Sequence, residues 1–260
     1  MSLPTVSNQL GSKDLSSQAV VCLEDISVRY RVPSERILTF KEYIIRWLQR
    51  KVTHNDFWAL HHVNLEVFKG EVFGIIGRNG AGKSTMLKLV ARVLRPTEGR
   101  IRVVGRVVPL LELGAGFHPE LTGRENIFLN GAMLGFTRKE MNEKLARIIE
   151  FSELGDFIDA PLRTYSSGMW ARLGFAAATD DQPDILIVDE VLGVGDEAFQ
   201  RKCASRIEQY RKHGATILLV SHSSAQIESM CQRAAWLDHG ILRLFGNPKD
   251  VVRAYHEIQG

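Results

Sequence analysis

No run of about 18 apolar residues occurs in this 260-residue chain, so no segment reads as a bilayer-spanning helix, and any service to a membrane would come through a partner. The opening stretch MSLPTVSNQLGSKDLSSQ has no apolar core of the kind a secretory signal needs. Cysteine is scarce. Cys22, Cys203 and Cys231 are odd in number and widely spaced, which argues against a disulfide framework and against a zinc site, and reads as reduced thiols in a cytosolic protein. A one-sided charge is also missing: 33 Lys and Arg stand against 30 Asp and Glu, a net +3. With no dense basic block and no basic groove studded with aromatics, the balance argues against a dedicated nucleic-acid partner. No internal repeat or second copy of any motif is present.

What remains is ordinary globular composition, 45% hydrophobic and 24% charged. Residues 1–18 are Ser-rich and poor in large apolar side chains, and read as a disordered tail. Residues 19–30 (AVVCLEDISVRY) have the β-branched content of a strand. Residues 31–57 read as an insertion. Within it, 38–51 (LTFKEYIIRWLQRK) fits a helix, with Phe40, Ile44, Trp47 and Leu48 at helical spacing and basic residues elsewhere. Residues 58–68 and 71–76 are strand-like, 83–93 helical, and 100–113 a pair of short strands turning at Gly105. From about 116 to 178 the pattern is mostly helical. ILIV at 185–188 and TILLV at 216–220 are short apolar runs of the kind that parallel strands show when both sheet faces are covered. A hairpin about Gly240 and a terminal helix from Pro248 complete the chain. Strands alternating with helices predict an α/β core carrying an inserted helical block.

GRNGAGKST at Gly77–Thr85 fits the G-x-x-x-x-G-K-[ST] pattern, placed after a strand and opening a helix. A triphosphate concentrates negative charge, so the backbone must curl and aim several N–H groups at it. Gly77, Gly80 and Gly82 permit that curl. Lys83 supplies a point charge for the β/γ-phosphates, Ser84 a hydroxyl for Mg²⁺, and the following helix its positive end. Gly77, Asn79, Gly80, Ala81, Gly82, Lys83, Ser84 and Thr85 are therefore the candidate nucleotide contacts. The strand ILIV at 185–188 runs into two acids. Asp189 falls at the carboxyl end of the sheet, where α/β proteins bind ligands, and suits Mg²⁺ directly or through water. Glu190 is placed to polarise an attacking water as general base. His222 follows the strand TILLV at 216–220, where it can hydrogen-bond a γ-phosphate and position that water.

Between the two motifs lies Tyr165–Met169 (YSSGM), some twenty residues before ILIVDE. With these motifs in this order the chain resembles the ATP-binding subunits of ABC transporters over about residues 19–255. The resemblance implies a P-loop NTPase (RecA-like) core with an N-terminal antiparallel β region and an inserted α-helical subdomain. It divides the chain into a core of 19–114 plus 180–245, with 31–57 as a helical insertion, a helical subdomain at 115–179 and a C-terminal helix at 246–260. It also implies a head-to-tail homodimer, in which Tyr165, Ser166, Ser167, Gly168 and Met169 match the LSGGQ signature that caps ATP held by the other copy. Ser166 and Gly168 keep the signature's hydroxyl and its close-approach glycine; Tyr165, Ser167 and Met169 depart from the common form. Tyr30 matches the aromatic that stacks on adenine. GVGD at 193–196 matches the loop that crosses the dimer seam, with Asp196 as its acid. The family's Gln, which contacts Mg²⁺ and couples to the membrane subunit, has no counterpart in VVPLLELGAGFHPELTGREN. Glu112 is the nearest polar candidate, and either takes its place or faces solvent.

LLELGAGFHPELTGRENI, YSSGM, DEVLGVGDEAF with Val191 after the glutamate, and the LDHG hairpin are similar to the branch of these subunits that powers polysaccharide export in bacteria: O-antigen, capsule and teichoic acid systems. That resemblance implies a peripheral ATPase at the cytoplasmic face of the inner membrane, with ATP and Mg²⁺ as cofactors and a polytopic permease and its lipid-linked glycan as partners. The basic helix in 31–57 would then either lie by the membrane or pack on its own domain. Two other readings compete. A soluble ABC-type ATPase acting on ribosomes carries two cassettes per chain, and one acting on DNA separates its motifs by long coiled coils; this chain does neither. A non-hydrolysing regulator is at odds with the presence of Lys83, Asp189, Glu190 and His222 together.

Overall fold

The structure is a computed structural model that describes residues 19–33, 54–111, 113–189 and 195–259. The helix expected over 38–51, the general-base candidate Glu190 and the coupling candidate Glu112 lie outside the described residues. The chain divides into two compact units, one of residues 1–68, 76–104 and 235–260, the other of 69–75 and 105–234.

In the first unit, β1 (Ala19–Pro33) pairs antiparallel with β2 (His54–Phe68) on one side and β4 (Glu98–Val103) on the other. Arg31–Pro33 and His54–Phe57 are thus strand, so both ends of the 31–57 insertion extend the β1–β2 pair. The polar His54-Asn55-Asp56 has little strand propensity of its own; direct pairing with Pro33, Val32 and Arg31 overrides it. Ile26, Leu60 and Val63 are fully buried, as are Met86, Leu87 and Leu89 of α1 (Lys83–Val90), which ends three residues sooner than the apolar pattern suggests. Residues 233–246 form the hairpin β8 (Arg233–Asp238) and β9 (Ile241–Gly246), followed by α7 (Pro248–Gln259). Tyr255 of α7 meets Trp236 edge to face at 6.1 Å.

In the second unit, β5 (Val107–Pro109), β6 (Ile185–Asp189), β7 (Thr216–Val220) and β3 (Val72–Ile76) run parallel in that order. Val72–Ile76 and Thr216–Val220 are buried along their whole length, as strands covered on both faces must be. The helices of this unit are α2 (Gly123–Met133), α3 (Arg138–Ser152), α4 (Ser167–Ala178), α5 (Glu197–Lys212) and α6 (Ser224–Met230), with 3₁₀ turns at Gly155–Asp159 and Leu162–Thr164. Both α2 and α3 start at a T-x-x-E capping box, Thr122 with Glu125 and Thr137 with Glu140. Phe151 stacks on Phe175, and both meet Phe199 edge to face, with ring centres 5.8–6.3 Å apart, joining α3, α4 and α5.

Candidate functional site

The loop after β3 is shaped by close packing on its inner side and by openness on its outer side. Gly77 is buried, and a Cβ there would land on the carbonyl oxygen of Leu237. Gly82 has φ 103°, and a Cβ there would land on the carbonyl oxygen of Ala59, with Leu60 Cδ2 at 2.9 Å. Only glycine fits either place. At Gly80, with φ 79°, a Cβ would meet none of the described residues within 4 Å, so among them its requirement is conformational rather than steric. The inner side is fastened by backbone: Gly240 N–H donates to the Ala81 carbonyl at 2.9 Å, and His61 N–H donates to the Gly240 carbonyl at 2.8 Å. Arg78, Asn79 and Gly80 are exposed.

Lys83, in the first turn of α1, is buried to 8% exposure, and its Nζ donates to the carbonyls of Gly77 at 2.7 Å and Arg78 at 3.1 Å. Its charge is therefore held inside the curl of the loop. Ser84 is exposed on the same turn, and no side chain caps α1 at Gly82. Backbone N–H groups at a helix start, a fixed cation and exposed glycine backbone make an anion cradle. Tyr30 lies on β1 directly across from Phe57 of β2, and both rings are exposed, at 39% and 56%. Two aromatic side chains on one face of an antiparallel pair form a flat apolar surface.

In the second unit, Ile75 of β3, Val220 of β7 and Asp189 of β6 stand in register, so these three strands end at one level. Asp189 is half-buried there. Past Val220, the Ser221 hydroxyl donates to Gln226 Oε1 at 2.7 Å and accepts from Ser223 N–H at 3.0 Å, and the exposed His222 sits in the turn so pinned.

Ser166 is the N-cap of α4, its Oγ accepting from Met169 N–H at 3.2 Å. Ser166 and Ser167 are exposed. Among the described residues outside the helix's own backbone, a Cβ on Gly168 would meet only Ser166 Oγ, at 3.8 Å, so no packing there demands the glycine. The departure at Tyr165 has a structural account: the ring is half-buried and its hydroxyl donates to the Phe157 carbonyl at 2.6 Å, while burial raises the phenol's pKa. Asp196 caps α5, accepting from Phe199 N–H at 2.9 Å.

Sequence reasoning missed Asn126. Its side chain is fully buried; Oδ1 accepts from His118 N–H at 2.6 Å, and Nδ2 donates to the carbonyls of His118, Leu121 and Thr122 at 2.9–3.1 Å. This one amide shapes the FHPELTG turn that leads into α2. The available signal was an Asn sitting one turn inside a helix, where the residue is a poor helix former without a tertiary task.

Residues 60–193 match the family model for ABC transporters. The chain belongs to the ABC transporter family. It is 48% identical over 246 residues to the O-antigen export system ATP-binding protein RfbB of Myxococcus xanthus, covering 93% of this chain and 56% of that relative. It is 54% identical over 199 residues to the protein of the same name from Klebsiella pneumoniae, covering 76% and 81%. A third relative, the teichoic acids export ATP-binding protein TagH of Enterococcus faecalis, is 47% identical over 199 residues, covering 76% of this chain and 44% of its own length. The chain thus spans little more than half of the Myxococcus relative and less than half of the Enterococcus one. Among solved structures, an ATP-binding subunit of an ABC transporter superposes with TM-score 0.70 at 22% identity, covering 91% of this chain and 93% of that one. A dimeric post-hydrolysis state of the ATP-binding cassette MJ0796 bound to ADP and Pi superposes with TM-score 0.68 at 20% identity, covering 88% and 98%. The fold is that of a P-loop ABC cassette. Among the described residues, no helix is long and apolar enough to cross a membrane.

Proposed function

We propose that this chain is the ATP-hydrolysing subunit of a polysaccharide exporter, working as a head-to-tail pair of two copies beneath a separate membrane permease that carries a lipid-linked glycan. The observation that carries the ATPase reading is the loop at Gly77–Thr85, with two glycines that no other residue could replace and a lysine buried in its curl. The polysaccharide reading rests on relatives named for O-antigen and teichoic acid export. It puts the subunit at the cytoplasmic face of a bacterial inner membrane.

In this reading Gly77, Asn79, Gly80, Ala81, Gly82, Lys83, Ser84 and Thr85 cradle the phosphates, and Tyr30 stacks on adenine. Ser84 hydroxyl and Asp189 carboxylate are hard oxygen donors, the chemistry Mg²⁺ takes, and fit that ion as its protein ligands. Mg²⁺ so bound supplies charge neutralisation on the β/γ-phosphates. Glu190 accepts a proton from the attacking water, and His222 holds the γ-phosphate and orients that water. Ser166, Ser167 and Gly168, with Tyr165 and Met169 flanking, bring the start of α4 to the γ-phosphate of the other copy's ATP; the free approach to Gly168 supports this. Stabilisation of the transition state is then mainly electrostatic, shared between Lys83 and the partner copy's N–H groups. Asp196 lies at the seam. Glu112 couples the site to the permease, and the basic segment within 31–57 lies by the membrane.

Glu190→Gln tests the core of this. The variant is expected to bind ATP, to elute as a dimer with ATP present, and to lose turnover; hydrolysis at the wild-type rate would refute the assignment. Removing 34–53, which leaves the β1–β2 pair intact, tests the export reading, with loss of surface glycan expected while ATPase activity persists. Unchanged export would overturn the membrane role of that segment.

A further inference from the structure

Arg172 lies in the second turn of α4, the helix that the YSSGM motif begins, and is only 18% exposed at its side chain. One end of its guanidinium, Nη1, donates to Glu153 Oε2 at 3.0 Å; the other, Nη2, donates to Asp196 Oδ2 at 2.7 Å. The guanidinium carbon is 4.7 Å from the centre of the Phe199 ring. Gly195, with φ 73°, turns directly above it: a Cβ there would lie 3.4 Å from Arg172 Nε. Glu153 ends α3 in a left-handed conformation, φ 56°, and its second oxygen takes Lys202 Nζ of α5 at 2.7 Å. Two cations and two carboxylates thus join the end of α3, the body of α4 and the start of α5. Asp196 serves twice, one oxygen capping α5 through Phe199 N–H and the other held by Arg172; the cap first, and the guanidinium with it, hold its carboxyl below the usual range.

Asp196 is 64% exposed at its side chain, so water and salt screen the pair, and its contribution to stability is small. Orientation is where a guanidinium fork differs from any surface cation: its donors are fixed in one plane and hold two acceptors at a set separation. We infer that Arg172 is a positioning residue that locks Asp196 and the start of α5 to the signature helix, so that Ser166–Gly168 and Asp196 are presented to a second copy of this chain as one rigid edge. The inference rests on the reading that the signature segment faces the partner copy's ATP and that Asp196 lies at the seam. Through Arg172, a displacement of the Gly195–Asp196 turn is passed to α4, about one and a half helical turns from Ser167.

The test measures ATP turnover and ATP affinity of the full chain in four variants. Arg172→Met keeps an apolar stem over Phe199 but has no fork. Asp196→Asn keeps an N-cap and loses the ion pair. The third is their combination, and Arg172→Lys restores a cation without the fork. Each single change is expected to lower kcat by about tenfold or more, the scale on which misplaced groups act, with the Kd for ATP and the Tm close to wild type. The double variant is expected to be no slower than the slower single, and Arg172→Lys to recover only part of the loss. Turnover within twofold of wild type in both singles, losses that multiply in the double, or a kcat loss matched by a fall in Tm or ATP affinity would each overturn the inference. Failure of the underlying reading has a separate mark: wild-type protein without turnover, or Glu190→Gln hydrolysing as wild type does.

Discussion

The hydroxyl of Tyr165 fills the space that a side chain on Gly123 would need. Gly123 opens α2 and Tyr165 opens the signature motif, so the TGREN and YSSGM segments are fitted to each other through this pair. Ile158 closes the same spot, with its Cδ1 2.9 Å and its carbonyl oxygen 3.0 Å from the position of a Gly123 Cβ. Gly123→Ala is expected to cost about 1–3 kcal/mol by overpacking. In a Tyr165→Phe background the same change should cost less, but not nothing, because the Ile158 backbone remains. Urea denaturation of the four proteins measures this, and equal costs in both backgrounds would show that the two residues are not coupled.

The phosphate-loop glycines should fall into two classes. Gly80→Ala introduces only a left-handed alanine in open space and is expected to cost about 1–2 kcal/mol. Gly77→Ala and Gly82→Ala must push away the carbonyls of Leu237 and Ala59, and Gly82→Ala adds its own backbone strain. Both are expected to melt well below Gly80→Ala in thermal unfolding. A Gly80→Ala protein as unstable as the other two would contradict the packing described for the loop.

The capping boxes predict part of the acid sensitivity. Thr122 N–H at 2.8 Å holds the Glu125 carboxyl below its ordinary range, and Thr137 Oγ1 at 2.7 Å does the same for Glu140. A carboxyl with a depressed folded-state pKa stabilises the fold fully above its unfolded value, near 4.3, and that contribution is lost as pH falls through the folded value. Replacing both glutamates by Gln keeps an oxygen for each box and removes the titration. Urea midpoints from pH 6 down to pH 3 should therefore fall less steeply in the double variant, and superimposable slopes would refute the assignment.

The glycine-rich loop motif and the buried strands were legible because each is a local matter. GRNGAGKST needs only its own glycines and lysine to be recognised, and ILIV or TILLV declares double-sided burial by composition. Asp189 was placed at a strand end by the run that precedes it, and the register with Val220 and Ile75 follows from that placement. What the pattern concealed depends on distant partners. Polar His54-Asn55-Asp56 becomes strand because Arg31–Pro33 stands opposite. Asn126 and Arg172 look like any helix-surface residues until the His118 turn and the Glu153–Asp196 pair are folded against them. Tyr165 reads as a deviation from a motif until Phe157 offers a carbonyl.

The loop at Gly77–Gly82 also has a place in time. Its inner side is completed by Ala59, by Leu237 and by Gly240, whose own carbonyl receives His61 N–H. Contacts that span this much sequence are made late, because the intervening chain must be ordered first. A nascent chain that has passed the lysine but not yet the hairpin at Gly240 carries the motif without its shape. With the loop cradling phosphate as proposed, nucleotide binding is expected only once synthesis has passed Gly240.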